Sequence, residues 1–261
     1  MDYNKLLNGN TAFVTTATRG IGKDIALLFA RHGTTVAFAG RNQQEVEKFE
    51  AELRELAPSS KGYLCDLSQK EQTESVCDQI LSDFGGVDIL VNVVGVNKQG
   101  YAHHIKDEDL ERLLETNYKS GIRTARKFLP GMMERKFGNI INISSIHGTQ
   151  TMPGFALYAG TKGAMDASAR AMALAYAPYG IRVNNLAPGL IMSDVMKDEV
   201  LSYPEGHERD NFMQLLENMQ PLPIGEMQDV SNAALFLASS MSAYITGQTI
   251  LVDGGATAQA H

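Results

Sequence analysis

Short apolar runs rich in β-branched residues recur along the chain, and helical patterns separate them. The runs fall at residues 11–16, 35–39, 62–65, 89–94, 139–144, 182–186 and 248–252. They read as continuous apolar stretches rather than alternations, the pattern of strands covered on both faces. Between them, apolar side chains return every three or four positions. In 23–31, Ile25, Leu28 and Phe29 share one face; in 42–56, Val46, Phe49, Leu53 and Leu56 do so. Further helices are predicted at 69–84, 108–117, 121–136, 159–177 and 229–238. This alternation predicts an α/β fold. We expect a Rossmann-type, doubly wound parallel sheet of about seven strands, with right-handed crossovers and helices on both faces.

The longest stretch outside the alternation is 193–227. It carries eight acids (Asp194, Asp198, Glu199, Glu205, Glu208, Asp210, Glu217, Glu226) against Lys197 and Arg209, so it holds −6 of the chain's formal −7. It also carries Met196, Met213 and Met219. It reads as an insertion of one or two helices that covers the substrate, within a single domain spanning 1–261. A chain of 261 residues, 44% of them hydrophobic, can bury one large core. The acidic balance speaks against nucleic acid or an anionic membrane as partner. No run approaches about 18 apolar residues, and Met1-Asp2-Tyr3-Asn4-Lys5 lacks the apolar core of a secretion signal. Cys65 and Cys77 are too few for a disulfide framework or a four-cysteine zinc site, and read as buried, reduced thiols. A cytoplasmic protein without metal is expected.

Three features carry chemistry. The turn Val14-Thr15-Thr16-Ala17-Thr18-Arg19-Gly20-Ile21-Gly22 follows a strand and opens a helix. Glycines there let a backbone approach a pyrophosphate, and the helix N-terminus offers free N–H groups; the same glycines also serve tight packing. After the second strand, Ala39-Gly40-Arg41-Asn42 has no acid before Glu45, where an NAD-preferring fold places one for the ribose. Arg41 and Arg19 supply two guanidiniums instead, suited to a 2′-phosphate, which points to NADP(H) over NAD(H). Tyr158 and Lys162 stand four apart, on one helix face. An ammonium there favours the phenolate and lowers the tyrosine pKa. Ser145 follows a strand, at the edge where parallel sheets build sites, and its hydroxyl can donate to a carbonyl oxygen as charge develops.

Taken in order, these residues resemble the short-chain dehydrogenase/reductase family. The family's Thr-Gly-x3-Gly-x-Gly is matched by 15–22 and its Asn-Asn-Ala-Gly by Asn92-Val93-Val94-Gly95. Its Asn, Ser and Tyr-x3-Lys are matched by Asn117, Ser145 and Tyr158/Lys162, and its Pro-Gly by Pro188-Gly189. Ser193 stands where the family has Thr or Ser, Asp66 matches the acid beside the adenine, and Asp253-Gly254-Gly255 matches the end of the last strand. The resemblance spans about residues 8–255. It departs at Thr16, which replaces a glycine and can crowd the cofactor, and at Val93-Val94, which remove a contact beneath its ribose.

The resemblance implies hydride transfer between a nicotinamide and a carbonyl carbon. Tyr158 would give or take the proton, Lys162 would lower its pKa and hold ribose hydroxyls, Ser145 would hold the substrate oxygen, and Asn117 would position a relay water. It assigns the cofactor to Thr15, Thr16, Thr18, Arg19, Gly20, Ile21, Gly22, Arg41, Asn42, Asp66, Leu67, Asn92, Gly95, Pro188, Gly189, Ile191 and Ser193, besides Tyr158 and Lys162. It implies a homotetramer or homodimer built through helices 121–136 and 159–177 and the C-terminal strand.

The substrate residues expected are Ser145, His147, Met152, Phe155, Tyr158 and Met192. Their apolar share suits a free ketone or secondary alcohol, of hydroxysteroid or sugar type. A substrate carried on an acyl carrier protein is the alternative, supported by Lys127, Arg135 and Lys136. Such carriers are acidic, however; 173–180 holds no Lys or Arg, and 193–227 would repel them. A cofactor-binding sensor without turnover is the third reading.

Overall fold

Successive side chains of a strand point to opposite faces, and β1 (Thr11–Val14) feeds two cores in this way. Ala12 and Val14 join one, Phe13 the other. The computed structural model describes residues 5–259. β1 is followed by α1 (Gly20–Arg31), β2 (Thr35–Gly40), α2 (Gln43–Arg54), β3 (Lys61–Leu64), α3 (Lys70–Phe84) and β4 (Ile89–Asn92). Then come α4 (Asp107–Leu113), α5 (Ser120–Arg135), β5 (Gly138–Ile143), α6 (Ala156–Tyr176) and β6 (Ile181–Pro188). The chain closes with α7 (Asp194–Ser202), α8 (His207–Glu217), α9 (Met227–Ala238) and β7 (Thr249–Val252). The seven strands form one parallel sheet in the order β3-β2-β1-β4-β5-β6-β7. This is the doubly wound Rossmann architecture that the alternation predicts.

α1, α2 and α9 cover one face through Ile25, Phe29, Phe49, Leu53, Val230 and Leu237. α3, α5 and α6 cover the other through Val76, Ile80, Phe128, Met132, Ala169 and Ala173. Phe13 meets Phe128 edge-on with ring centres 5.8 Å apart, and Phe38 meets Phe49 at 4.8 Å. Cys65 and Cys77 are buried and free. Among the described residues no helix is long and apolar enough to cross a membrane, and no cluster of His, Cys, Asp or Glu is suited to a metal.

Boundaries differ from the sequence pattern where side chains replace backbone bonds. The strands expected at 11–16 and 89–94 stop at Val14 and Asn92. Beyond them, the Val93 N–H donates to the Thr15 hydroxyl at 2.9 Å instead of continuing the ladder. α1 opens at Gly20, three residues earlier than its apolar stripe suggests. The helices expected separately at 108–117 and 121–136 are joined by a π-turn over Leu114–Lys119. There the Ser120 N–H reaches five residues back to Glu115, while its hydroxyl donates to the Thr116 carbonyl at 2.6 Å. The segment 193–227 forms α7 and α8.

Three neighbouring strands carry an asparagine at one level: Asn92, Asn142 and Asn185 are partners in register, and Thr249 of β7 follows Asn185. Asn92 Nδ2 donates to Asn142 Oδ1 at 2.9 Å, and Asn142 Nδ2 to Asn185 Oδ1 at 2.8 Å. All three are buried. Asn142→Ala would orphan a donor on Asn92 and an acceptor on Asn185. It is expected to cost roughly 2–5 kcal/mol of stability by urea unfolding, and an unchanged midpoint would contradict this role for the row.

Candidate active site

β1 stands between β2 and β4, so the connections leaving the sheet's middle turn to opposite sides and open a crevice above its carboxyl end. Residues 15–22 form its floor. Gly20 holds φ at +62°, with nothing within 4 Å of where a Cβ would stand. At Gly22 a Cβ would fall 1.7 Å from the Thr16 carbonyl oxygen, so only glycine lets α1 close on this turn. Arg19 precedes α1 without a side-chain cap, which leaves the first helical N–H groups for other partners. One has a partner already: the Gly20 N–H donates at 3.1 Å to Oδ2 of Asp194, the first residue of α7. A carboxylate thus sits where a helix N-terminus attracts an anion. The Thr16 hydroxyl is buried with no partner.

The other expected cofactor residues line the same edge. Arg19 and Arg41 are exposed, and neither forms an ion pair among the described residues. Asn42 caps α2 by accepting the Glu45 N–H at 3.1 Å, and Glu45 accepts from the Thr18 hydroxyl at 3.3 Å. Asp66 accepts from the Ser68 N–H and hydroxyl at 3.0 and 2.8 Å, beside buried Leu67. Ile21 packs against the first core. The Asn92 amide is committed to the buried row, with Thr124 donating to its Oδ1 at 2.9 Å. Gly95 is open, its missing Cβ 3.4 Å from Lys162 Nζ. Beyond Pro188, a Cβ at Gly189 would meet the Asp253 backbone at 2.9 Å. Ile191 bridges to Gly225, and Ser193 caps α7 by accepting the Met196 N–H at 3.3 Å.

Four groups meet at the ends of β4 and β5. Ser145 follows β5, and its hydroxyl oxygen accepts the His147 N–H at 3.2 Å. Tyr158 and Lys162 approach from α6. Lys162 is 3% exposed; its Nζ donates to the Ile143 carbonyl at 2.8 Å and lies 5.7 Å from the centre of the Tyr158 ring. Burial draws the Lys162 ammonium down to about 8, against the Asp166 carboxylate, which holds it up. Burial pushes the Tyr158 phenol above its ordinary value, and a hydrogen bond with Ser145 opposes the rise. Asn117 sits in the π-turn. Its Nδ2 donates to the Val96 carbonyl at 2.9 Å and to Thr161 Oγ1 at 3.1 Å, and its Oδ1 accepts the Val96 N–H at 2.8 Å. Both amide hydrogens are spent, so the side chain braces the loop after β4 against α6.

His147 stacks on Phe155 with ring centres 4.4 Å apart and meets Tyr158 edge-on at 5.6 Å. Its Nδ1 shares a hydrogen bond of 2.8 Å with the Thr151 hydroxyl, and burial lowers its pKa, so the ring is neutral at pH 7. Phe155 and Met192 are half-buried, while Met152 is exposed.

The chain is similar to known proteins over nearly its whole length. A family model described as enoyl-(acyl carrier protein) reductase matches residues 16–257. The 3-oxoacyl-[acyl-carrier-protein] reductase FabG of Haemophilus influenzae is 34% identical over 249 residues, covering 95% of this chain and 98% of that protein. The chain belongs to the short-chain dehydrogenase/reductase family. The FabG of Vibrio cholerae is 35% identical over 252 residues, with 95% and 98% covered. Among solved structures, a 7α-hydroxysteroid dehydrogenase complexed with NADH and 7-oxo glycochenodeoxycholic acid matches with a TM-score of 0.88 at 30% identity, over 97% of this chain and 96% of that one. ElxO with NADP bound matches at 0.84 and 28% identity, over 96% and 99%.

As a member of this family, the chain is an NAD(P)-dependent oxidoreductase acting on CH–OH groups. Its crevice fits a dinucleotide. The glycine floor allows close approach, Asp194 marks an anion position on α1, and the face of Gly95 is open beside Lys162. Val93 and Val94, where the sequence leaves the family pattern, pack into the two cores. Sequence reasoning did not find Asp166, Thr161 or the Asp194 contact. The three strand asparagines were a legible signal, because buried amides in apolar strands need partners. Asp194→Ala frees the α1 N-terminus and is expected to tighten dinucleotide binding about fivefold by calorimetry; unchanged or weaker binding would contradict the competition.

Proposed function

We propose that this chain is an NADP(H)-dependent enzyme that interconverts a ketone and a secondary alcohol on a free small molecule. The observation that carries this reading is the half-buried Tyr158 one helical turn from the buried Lys162, whose Nζ lies 5.7 Å from the centre of its ring, with Ser145 just beyond the end of β5. The nicotinamide, when bound, supplies or accepts the hydride. Ser145 holds the substrate oxygen, and Tyr158 gives that oxygen its proton in reduction or takes it back in oxidation. Lys162 lowers the cost of the phenolate while it keeps its own proton. A phenol held above its ordinary pKa carries its proton at neutral pH.

The turn 15–22 would hold the pyrophosphate, with Arg19 and Arg41 on the 2′-phosphate and Asp66 and Leu67 beside the adenine. The lack of an ion-pair partner for either arginine among the described residues, and the engagement of Glu45 by Thr18, support NADP(H). Asn92 and Gly95 would border the nicotinamide ribose, and Pro188, Gly189, Ile191 and Ser193 the carboxamide. His147, Met152, Phe155 and Met192 would line the substrate, with α7 and α8 as its cover. Two buried free thiols agree with a cytoplasmic enzyme. Leu174, 82% exposed on α6, and Leu251 on β7 agree with a homotetramer or homodimer.

The FabG relatives favour a second reading, reduction of a 3-oxoacyl group on a carrier protein. Charge weighs against it. Arg126 pairs with Glu74 at 2.6 Å, Lys127 with Asp78 at 2.7 Å and Arg135 with Asp88 at 3.2 Å, so acids of this chain already neutralise most of the basic side chains on α5. Steady-state kinetics with NADPH and NADH, on a ketone panel and on an acetoacetyl carrier protein, separate the readings. Free ketones with NADPH are expected as the better substrates; a preference for the carrier thioester or for NADH would overturn that part. Tyr158→Phe is expected to lower kcat/KM at least about 100-fold with cofactor affinity retained, and an active variant would refute the assignment. In wild type, kcat/KM for reduction is expected to fall as pH rises through about 8, where Lys162 loses its proton.

A further inference from the structure

Lys162 and Asp166 stand one turn apart on the same face of α6, and both are 3% exposed. Asp166 ends the amide row. Thr124 donates to Asn92, Asn92 to Asn142, Asn142 to Asn185, and Asn185 Nδ2 to Asp166 Oδ1 at 2.8 Å. The Thr249 hydroxyl donates to the same oxygen at 3.3 Å. Every donor in this run from α5 across β4, β5 and β6 points towards the carboxylate, so each dipole strengthens the next in favour of a negative charge there. Oδ2 has no hydrogen-bond partner. It packs against Gly148 in the turn after Ser145, so closely that a Cβ would stand 2.2 Å away. A buried carboxylate oxygen left without a donor is costly, and it calls for a positive charge nearby.

We propose that Asp166 is a positioning residue for the proton-transfer pair: held by the amide row at one end of the sheet, its charge keeps the buried Lys162 ammonium protonated beneath Tyr158. This rests on the reading of Tyr158 and Lys162 as that pair. The neighbourhood leaves no other candidate among the described residues. On α6 the titratable groups facing Lys162 are Tyr158 and Asp166. The β5 side brings Ser145, the Ile143 carbonyl and the neutral His147; β6 and β7 bring Asn185 and Thr249; the π-turn brings Asn117; the loop after β4 brings Gly95. Asp166 alone offers a countercharge, and it is the one group that raises the Lys162 pKa. Without it, only the hydrogen bond to the Ile143 carbonyl offsets the burial of the ammonium.

The test is the titration of Lys162 itself, read by NMR of protein carrying [13Cε]lysine, with the resonance assigned by its loss in Lys162→Arg. In the cofactor-free wild type the midpoint is expected near 8. In Asp166→Asn, which keeps an acceptor for Asn185, it is expected about one pH unit lower, and the alkaline limb of kcat/KM for reduction moves with it. Asp166→Ala, with room for a water beside Asn185, should move both in the same direction. Equal midpoints in wild type and either folded variant would overturn the proposal. So would a wild-type midpoint below about 6, where the ammonium would not be kept protonated at neutral pH, a result that needs no variant. The two readings fail separately. A wild type that binds NADPH but reduces no ketone counts against the proposed function. A turning-over wild type whose Lys162 ignores the loss of Asp166 counts against this inference alone.

Discussion

Lys162 Nζ is nearly removed from water, and the groups around it decide whether it keeps its proton. Removal from water disfavours an ammonium strongly, so the position is tenable only with compensation built from fixed groups. The Ile143 carbonyl supplies a hydrogen bond and Asp166 a charge. Both depend on the sheet. Ile143 is the last residue of β5, and Asp166 is gripped by an amide row that exists only because β4, β5 and β6 run parallel in one register. A one-residue slip of any of these strands would turn its asparagine to the other face and break the row. Register, a property of the whole sheet, therefore decides how the buried Lys162 is held at its edge.

The other half of the crevice shows a related economy of charge. The α1 N-terminus attracts an anion and holds a carboxylate from α7, the first helix of the acidic segment. The segment that brings most of the chain's net charge thus reaches the phosphate-type position by one aspartate. Among the described residues the two arginines beside the crevice have no ion-pair partner, while the basic side chains Arg126, Lys127 and Arg135 of α5 are matched by acids of this chain.

Much of this was legible in the sequence. The apolar runs located all seven strands, because strands covered on both faces need continuous apolar sequence. The glycine turn, Ser145 and the Tyr158/Lys162 pair were visible through spacing, since a turn and a helix face are local. The π-turn at Asn117 was not, because an extra residue in a helical turn leaves the apolar period almost unchanged. Asp166 was hidden for another reason. On α6 it reads as an ordinary polar position, and only the pairing of Asn185 with Asn142 in register gives it partners. The contact of Asp194 with Gly20 joins residues 174 apart, beyond the reach of any pattern along the chain.

In the proposed reaction Tyr158 and Lys162 manage a proton while a hydride passes between nicotinamide and a carbonyl carbon. Reduction of a ketone with NADPH deuterated at C4, followed by mass spectrometry of the alcohol, tests it most directly. One deuterium is expected at the carbinol carbon with wild type, from one of the two C4 positions only, and little labelled alcohol over the same time with Tyr158→Phe. Unlabelled alcohol from wild type, or labelled alcohol formed equally well without the phenol, would contradict it.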